Sequence, residues 1–287
     1  MSKSYCDVII VGGGHAGYEA ALASSRMGVK TLFVSIDKRL IGRLPCNPAI
    51  GGIAKSHLVS ELDALGGELG RNADYTGIQY RMLNTRKGPA VQSNRVQCDK
   101  DLFPERIQAV LSLQDNLQIM EDMVTAVRTK GSKVCGITTR GGGDIDAEAI
   151  VICTGTFLRG RVLIGMHSIN EGRMGEESSE ALSASFKKLG FDLARLKTGT
   201  PPRIHRDSID YAQMEIQPGD TPPPFFSRRA KQEWKMFHVE HEPIDRKKMD
   251  RLFHVEHPDL HPWRPGTDQI PCWLTHTNER THQIISD

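Results

Sequence analysis

What this sequence lacks narrows the reading first. It has almost no net charge: 37 Lys and Arg against 35 Asp and Glu leave +2 over 287 residues. A nucleic-acid partner would have to rely on local basic patches, because the average field is weak. It has no apolar run of membrane length. The stretch Val8 to Val11 gives way at once to glycines, far too short for a spanning helix or a signal-peptide core. No membrane association is expected, and the cytoplasm is the default location. It also has no C-x-x-C pair among Cys6, Cys46, Cys98, Cys135, Cys153 and Cys272, which argues against a zinc site or a thioredoxin-like centre. In a reducing compartment most of these are free thiols. Cys6, Cys135 and Cys153 lie in or beside apolar, strand-like runs and read as core filler. With 38% hydrophobic and 25% charged residues, the chain supports a globular core, as one large domain or two ordinary ones.

What is present begins with "DVIIVGGGHAGYEAALASSRMG". Val8 to Val11 read as a buried parallel strand. Gly12, Gly14 and Gly17 complete a G-x-G-x-x-G, an Ala-rich helix follows and stops at Gly28, and "TLFVS" (31–35) reads as a second strand. In such a strand–turn–helix–strand unit the first glycine makes the tight turn. The second admits a pyrophosphate to the backbone, and the third lets helix and strand pack closely. The helix N-terminus supplies N–H donors and positive potential. The acid expected at the end of the second strand is replaced by Ser35, with Asp37 two residues on. His15 lies in the turn itself, as a surface polar residue or as a cofactor contact.

Residues 117 to 157 read as short strands separated by turns at "KGS" (130–132) and "GGGD" (141–144). They close in a buried strand "AIVIC" and a Thr154-Gly155 turn. This β-meander is similar to that of the two-dinucleotide-binding flavoproteins, and the resemblance implies FAD at the first glycine loop. "SSEALSASFKKLG" (178–190) reads as an amphipathic helix ended by Gly190.

Seven motifs then occur in one order: "GGGHAGYEAA" (12–21), "CNPAIGGIAKSHLVSELDALGG" (46–67), "GIQYRMLNTRKGPAV" (77–91), "GTFLRG" (155–160), "EGRMG" (171–175), "RLKTGTPPRI" (195–204) and "PCWLTHTNERTH" (271–282). Together they resemble the FAD-dependent tRNA uridine 5-carboxymethylaminomethyl modification enzymes, the glucose-inhibited division protein A (GidA, MnmG) family. The resemblance implies modification of the wobble uridine at its 5-position. It further implies FAD, NADH as reductant, a folate-borne methylene group, glycine or ammonium, a GTPase partner (MnmE) and a homodimer. It puts FAD contacts on Gly12, Gly13, Gly14, His15, Ala16 and Gly17, on Val124 and on Ser179. It marks Cys46 and Cys272 as catalytic candidates, with no metal. The 5-carbon of uracil becomes nucleophilic when a thiolate adds at the 6-carbon, a task suited to cysteine. A loop cysteine followed by backbone N–H groups and by Lys55 suits that role. Which cysteine attacks is left open. Lys87 and Lys197 are candidate phosphate or flavin-edge contacts, each equally readable as a solvated lysine. His276, Asn278 and Glu279 offer acid–base groups near Cys272 in sequence.

The expected fold class is α/β: a Rossmann-like FAD-binding domain of the two-dinucleotide-binding type with a β-meander, and part of an inserted second domain. The ranges are 1–197 for the FAD-binding domain, without its C-terminal return segment, and 198–287 for part of an inserted domain on the NADH and substrate side. A His-rich insertion at about 230–262 contains the repeat "FHVEH" (237–241, 253–257). Its His238, His241, His254 and His257 read as a solvated duplication rather than a metal site. The basic run 246–251 reads as a solvated face. Because the family is about twice this length or more, the chain is expected to be a fragment or truncated form. Two rivals stand: another FAD/NAD oxidoreductase, disfavoured by the missing redox cysteine pair, and a non-catalytic flavin-binding remnant.

Overall fold

The computed structural model describes residues 5–238, 265–266 and 269–286. In chain order the elements are β1 (Tyr5–Val11), α1 (His15–Arg26), β2 (Thr31–Ser35), β3 (Ala49–Gly51), α2 (Ser56–Ala64), α3 (Leu69–Thr76), β4 (Gly77–Leu83), β5 (Ser93–Cys98) and α4 (Leu102–Ser112). Next come β6 (Leu117–Glu121), β7 (Val124–Lys130), β8 (Lys133–Thr139), β9 (Asp144–Ile152) and two small hairpins, β10 (Val162–Ile164) with β11 (His167–Ile169) and β12 (Glu171–Arg173) with β13 (Glu176–Glu177). The last are α5 (Glu180–Lys188), β14 (Glu215–Gln217), α6 (Arg228–His238), β15 (Cys272–Leu274) and α7 (Glu279–Ser286). Contacts gather these into two compact units, one of residues 1–45, 65–72 and 100–198, the other of 46–64, 73–99 and 199–287. Where chain order divides the sequence into 1–197 and 198–287, contacts place 46–64 and 73–99 with 199–287.

The first unit is built on a six-stranded sheet in the order β6-β2-β1-β9-β8-β7. β6, β2, β1 and β9 run parallel, and β9, β8 and β7 are antiparallel neighbours. This is the α/β, Rossmann-like architecture with a β-meander that the sequence implied. Alternation decides which side chains go to which face. Ile9, Val11, Leu32 and Val34 join Val124, Ile137 and Leu182 in one core, while Ile10 and Phe33 join Tyr18, Leu22, Ile41, Ile107 and Leu111 in another. A sheet apolar on both faces is what the unbroken runs in β1 and β2 predict. Gly131 and Gly142, at φ +62° and +87°, make the meander turns that "KGS" and "GGGD" signalled. β6 departs from the expected meander and joins the parallel edge beside β2, because Leu117 and Ile119 pack into the second core. At the opposite edge α5 packs beside β7, and the Val127 N–H donates to Ser185 Oγ at 3.1 Å, occupying a donor that would otherwise face outward.

The second unit holds a three-stranded antiparallel sheet, β3-β5-β4, and the antiparallel pair β14-β15. Ile50, Tyr80, Val96, Cys98 and Phe226 are among its buried side chains. Asp74 is fully buried and accepts the N–H groups of Phe226 (3.1 Å) and Ser227 (2.6 Å) just before α6. Burial pushes its carboxyl well above the usual range. The His-rich repeat lies outside the described residues apart from the end of α6, and the basic run 246–251 lies wholly outside them. Among the described residues no helix is long and apolar enough to cross a membrane.

One ion cluster ties the first unit together. Glu68, 2% exposed, lies 2.9 Å from Arg106, 3.2 Å from Arg26 and 3.8 Å from Arg71. Burial pushes its carboxyl up, yet the guanidiniums outweigh burial and hold it below the usual value. Removing a buried charge while leaving its partly buried partners clustered is costly. Glu68→Gln is expected to lower stability by about 3 kcal/mol in urea unfolding at neutral pH. The contribution is present above the unfolded carboxylate pKa and is lost as pH falls through the lower folded value. An unchanged midpoint at pH 7 contradicts this assignment.

Candidate functional site

The glycine turn is fixed by the strands around it. The Gly12 N–H donates to the Val34 carbonyl at 2.9 Å, and the Cys153 N–H to the Val11 carbonyl at 2.7 Å. The turn therefore sits at the carboxyl ends of β2, β1 and β9, the usual place for a ligand in a parallel sheet. Gly12 has φ +112°, and a Cβ there would lie 2.3 Å from the Cys153 carbonyl oxygen. A Cβ on Gly17 would lie 1.8 Å from the Gly12 carbonyl oxygen, and one on Gly13 2.6 Å from Ser35 Oγ. Gly14 differs: nothing lies within 4 Å of its Cβ position, and its φ of −80° and ψ of −175° suit any residue. The fold demands glycine at 12 and 17, where the added carbon meets backbone; at 13 it meets only side chains, nearest the Ser35 hydroxyl, and at 14 it finds open space. α1 begins there with no side-chain cap and no acid in its first turn, so its positive end and unpaired N–H groups are free for an anion. Ala16 is exposed in that first turn.

His15 is half-buried, with its ring edge-on to Tyr18 (5.6 Å) and Phe103 (5.8 Å). Its Nδ1 is buried and has no hydrogen-bond partner among the described residues. Burial, helped by Arg173, pushes its pKa down to about 4. Ser179 starts α5, and its Oγ is likewise buried without a partner, capping nothing. Two unsatisfied buried polar atoms and an open glycine cradle fit a polar, phosphate-bearing cofactor. Val124 packs into the core beside Ile137 and Leu182, so only its main chain can face a ligand. Ser35 donates to the Asp37 carbonyl at 3.0 Å, and the Asp37 carboxylate is held by Arg39 at 2.6 Å.

The two candidate cysteines belong to the second unit, and each has a partner distant in sequence. Cys46 Sγ is 3.2 Å from Thr200 Oγ1, where either atom can donate. Cys272 Sγ donates to Gln79 Oε1 at 2.9 Å. The Gln79 amide cannot be reversed without losing its own bond, because its Nε2 donates to the Gln217 carbonyl at 2.8 Å. An amide oxygen only accepts, so the Cys272 pair requires the proton on sulfur, whereas the Cys46 pair accommodates thiol or thiolate. Thr200 and Gln79 were not singled out by sequence; β-pairing and loop contacts bring them in, and no local pattern marks them. Of the acid–base groups near Cys272, Asn278 has another role. Asn278 Oδ1 caps α7 by accepting the Thr281 N–H at 3.0 Å, and Thr277 Oγ1 bonds His282 at 2.9 Å. His276, Glu279, Lys55, Lys87 and Lys197 are exposed. The remaining thiols divide by burial. Cys6 and Cys98 are core, with Cys98 pushed up to about 12 by burial. Cys135 and Cys153 are only half-buried. Among the described residues no group of His, Cys, Asp and Glu could hold a metal ion.

Two outcomes follow. Gly17→Ala is expected to destabilise the first unit by about 2–3 kcal/mol, because the backbone of Gly12 must move to admit a methyl group; a wild-type melting temperature contradicts the close contact. His15 titrates near 6.5 when unfolded and about 4 when folded. Between those values the unfolded chain binds more protons, so stability falls as pH drops from about 6.5 towards 4. His15→Gln should remove roughly 3 kcal/mol of that dependence, measured as urea midpoints of both proteins across the window; parallel profiles contradict a buried neutral imidazole.

A profile of the family described as glucose inhibited division protein A matches residues 7–254. The tRNA uridine 5-carboxymethylaminomethyl modification enzyme MnmG of Aquifex aeolicus is 45% identical over 280 residues, 97% of this chain and 41% of that protein. The enzyme of the same name from Nitratiruptor is 46% identical over 279 residues, 97% of this chain and 40% of that protein. The solved structure of Aquifex aeolicus GidA, form II crystal, superposes with a TM-score of 0.82 at 44% identity, covering 99% of this chain and 43% of that one. The chain thus spans about two fifths of the length of the curated relatives it matches. On these grounds, the chain belongs to the glucose inhibited division protein A family.

Proposed function

We propose that this chain holds FAD in the cradle of its first unit. We further propose that it carries the FAD-binding and thiol-bearing part of an enzyme that adds a carboxymethylaminomethyl group to the 5-position of the tRNA wobble uridine. The observation that carries the reading is identity of 45% sustained over 97% of the chain with a protein named for that modification. The cradle supports the cofactor half. Gly14 leaves room for the pyrophosphate, α1 offers its N-terminal N–H groups, and His15 Nδ1 and Ser179 Oγ are unsatisfied polar atoms suited to hydrogen bonds with FAD. A neutral His15 adds a hydrogen-bonding atom without adding charge. Bound FAD supplies hydride chemistry, with NADH as reductant. The other participants in the proposal are a methylene-folate, glycine or ammonium, the GTPase partner MnmE and a second copy of the chain in a cytoplasmic homodimer.

The hydrogen-bond pattern supports a division of labour between the cysteines. Cys46, beside a hydroxyl that can donate to a thiolate, adds to the 6-carbon of the uracil and makes the 5-carbon nucleophilic. Cys272, fixed as a donor by Gln79, holds a proton for delivery. Limited iodoacetamide treatment with peptide mass spectrometry tests this: Cys46 should alkylate faster than Cys272, and the reverse order contradicts the assignment. The activity is tested by supplying tRNA, FAD, NADH, methylene-folate, glycine and the GTPase partner, then digesting the RNA for nucleoside mass spectrometry. A modified wobble uridine is expected, with a loss of roughly a hundredfold or more in Cys46→Ser. No modification by a flavin-loaded chain contradicts activity at this length.

A further inference from the structure

The three-stranded sheet of the second unit carries charge that the proposed reaction leaves unused. Arg81 of β4 stands directly opposite Arg95 of β5, and Arg95 stands opposite Gly51 of β3. Residues opposite one another in a ladder project to the same face with Cβ atoms about 4.5–5.5 Å apart, where like charges repel. Gly51 brings no side chain to that row, so no carboxylate offsets the pair within it. Arg81 is partly balanced: its Nη1 donates to the Pro218 carbonyl at 2.8 Å and lies 3.7 Å from Asp220 Oδ1. Arg95 is not. Its guanidinium makes no ion pair and no hydrogen bond among the described residues, and the Nε atoms of both arginines are buried without partners. Both side chains are half-buried, so solvent compensates these donors only in part.

We propose that Arg81 and Arg95 form a phosphate-binding site for a nucleotide. A carboxylate has two oxygens in one plane and matches one guanidinium fork. A phosphoryl group has oxygens in more than one plane and can bridge two forks set side by side. Its negative charge would also remove the repulsion between them. The site lies on the face of β4 that carries Gln79, two residues before Arg81, and Gln79 holds the Cys272 thiol. A bound phosphate there fixes the nucleotide beside that thiol. The source is a phosphodiester of single-stranded RNA or the phosphate of a free dinucleotide. The site does not depend on which reaction the chain performs.

The test uses the 287-residue chain. Inorganic phosphate, exchanged for chloride at constant ionic strength, should raise the melting temperature of the wild type and not of Arg95→Gln. Anisotropy with a labelled single-stranded oligoribonucleotide and fluorescence titration with NADH then separate the sources. The true source loses affinity by roughly three- to tenfold in Arg95→Gln, and for RNA the salt slope falls by about 1. Arg95→Lys, which keeps the charge and loses the fork, should fall between. If Arg95→Gln does not fold, Arg81→Gln serves in its place. Phosphate that stabilises neither protein, or both equally, overturns the site. So does unchanged affinity for both RNA and dinucleotide.

Discussion

The cradle depends on α1 meeting the turn at a distance that only glycine allows. Gly17 lies over the Gly12 carbonyl with no room for a methyl group, and Gly12 is held against Cys153 on its other side. That compression brings the start of α1 directly over the ends of the parallel strands. It also explains why the uncapped helix end and the open position at Gly14 coincide. A longer approach would leave the same residues as an ordinary surface turn. The constraint is steric rather than electrostatic. It exists before any ligand arrives, and the positive end of the helix is its by-product.

The thiols obey a different logic. Cys46 and Cys272 are shaped less by their own loops than by partners brought from more than a hundred residues away, Thr200 and Gln79. Gln79 is itself locked by Gln217. A hydroxyl partner and an amide-oxygen partner give two cysteines of similar exposure different protonation requirements. One neighbour therefore separates two thiols that look alike in sequence.

Much of the first unit was legible in the sequence because its signals are local. The runs in β1 and β2, the three spaced glycines, the turn glycines at 131 and 142 and the stop at Gly190 each act over a few residues. β6 was misplaced because periodicity identifies a strand without naming its neighbour. The pairing of 46–64 and 73–99 with 199–287 was invisible for the same reason, as were Thr200, Gln79 and the Arg81–Arg95 row. These are contacts of long sequence separation, and no alternation or spacing encodes them. Asn278 also has a local role that the reading of it as an acid–base group did not weigh: Asn directly before a helix is a cap.

The most direct measurement is the flavin absorbance of the desalted chain, wild type beside Gly14→Val, with thermal unfolding of both. Gly14 is the loop glycine whose Cβ position is open on every side, so this substitution separates the cradle from the scaffold. The expected result is flavin bands in the wild type, none in Gly14→Val, and closely similar melting temperatures without cofactor. A folded wild type that retains no flavin, or a Gly14→Val chain that keeps it, would contradict the claim that this turn is built around a dinucleotide.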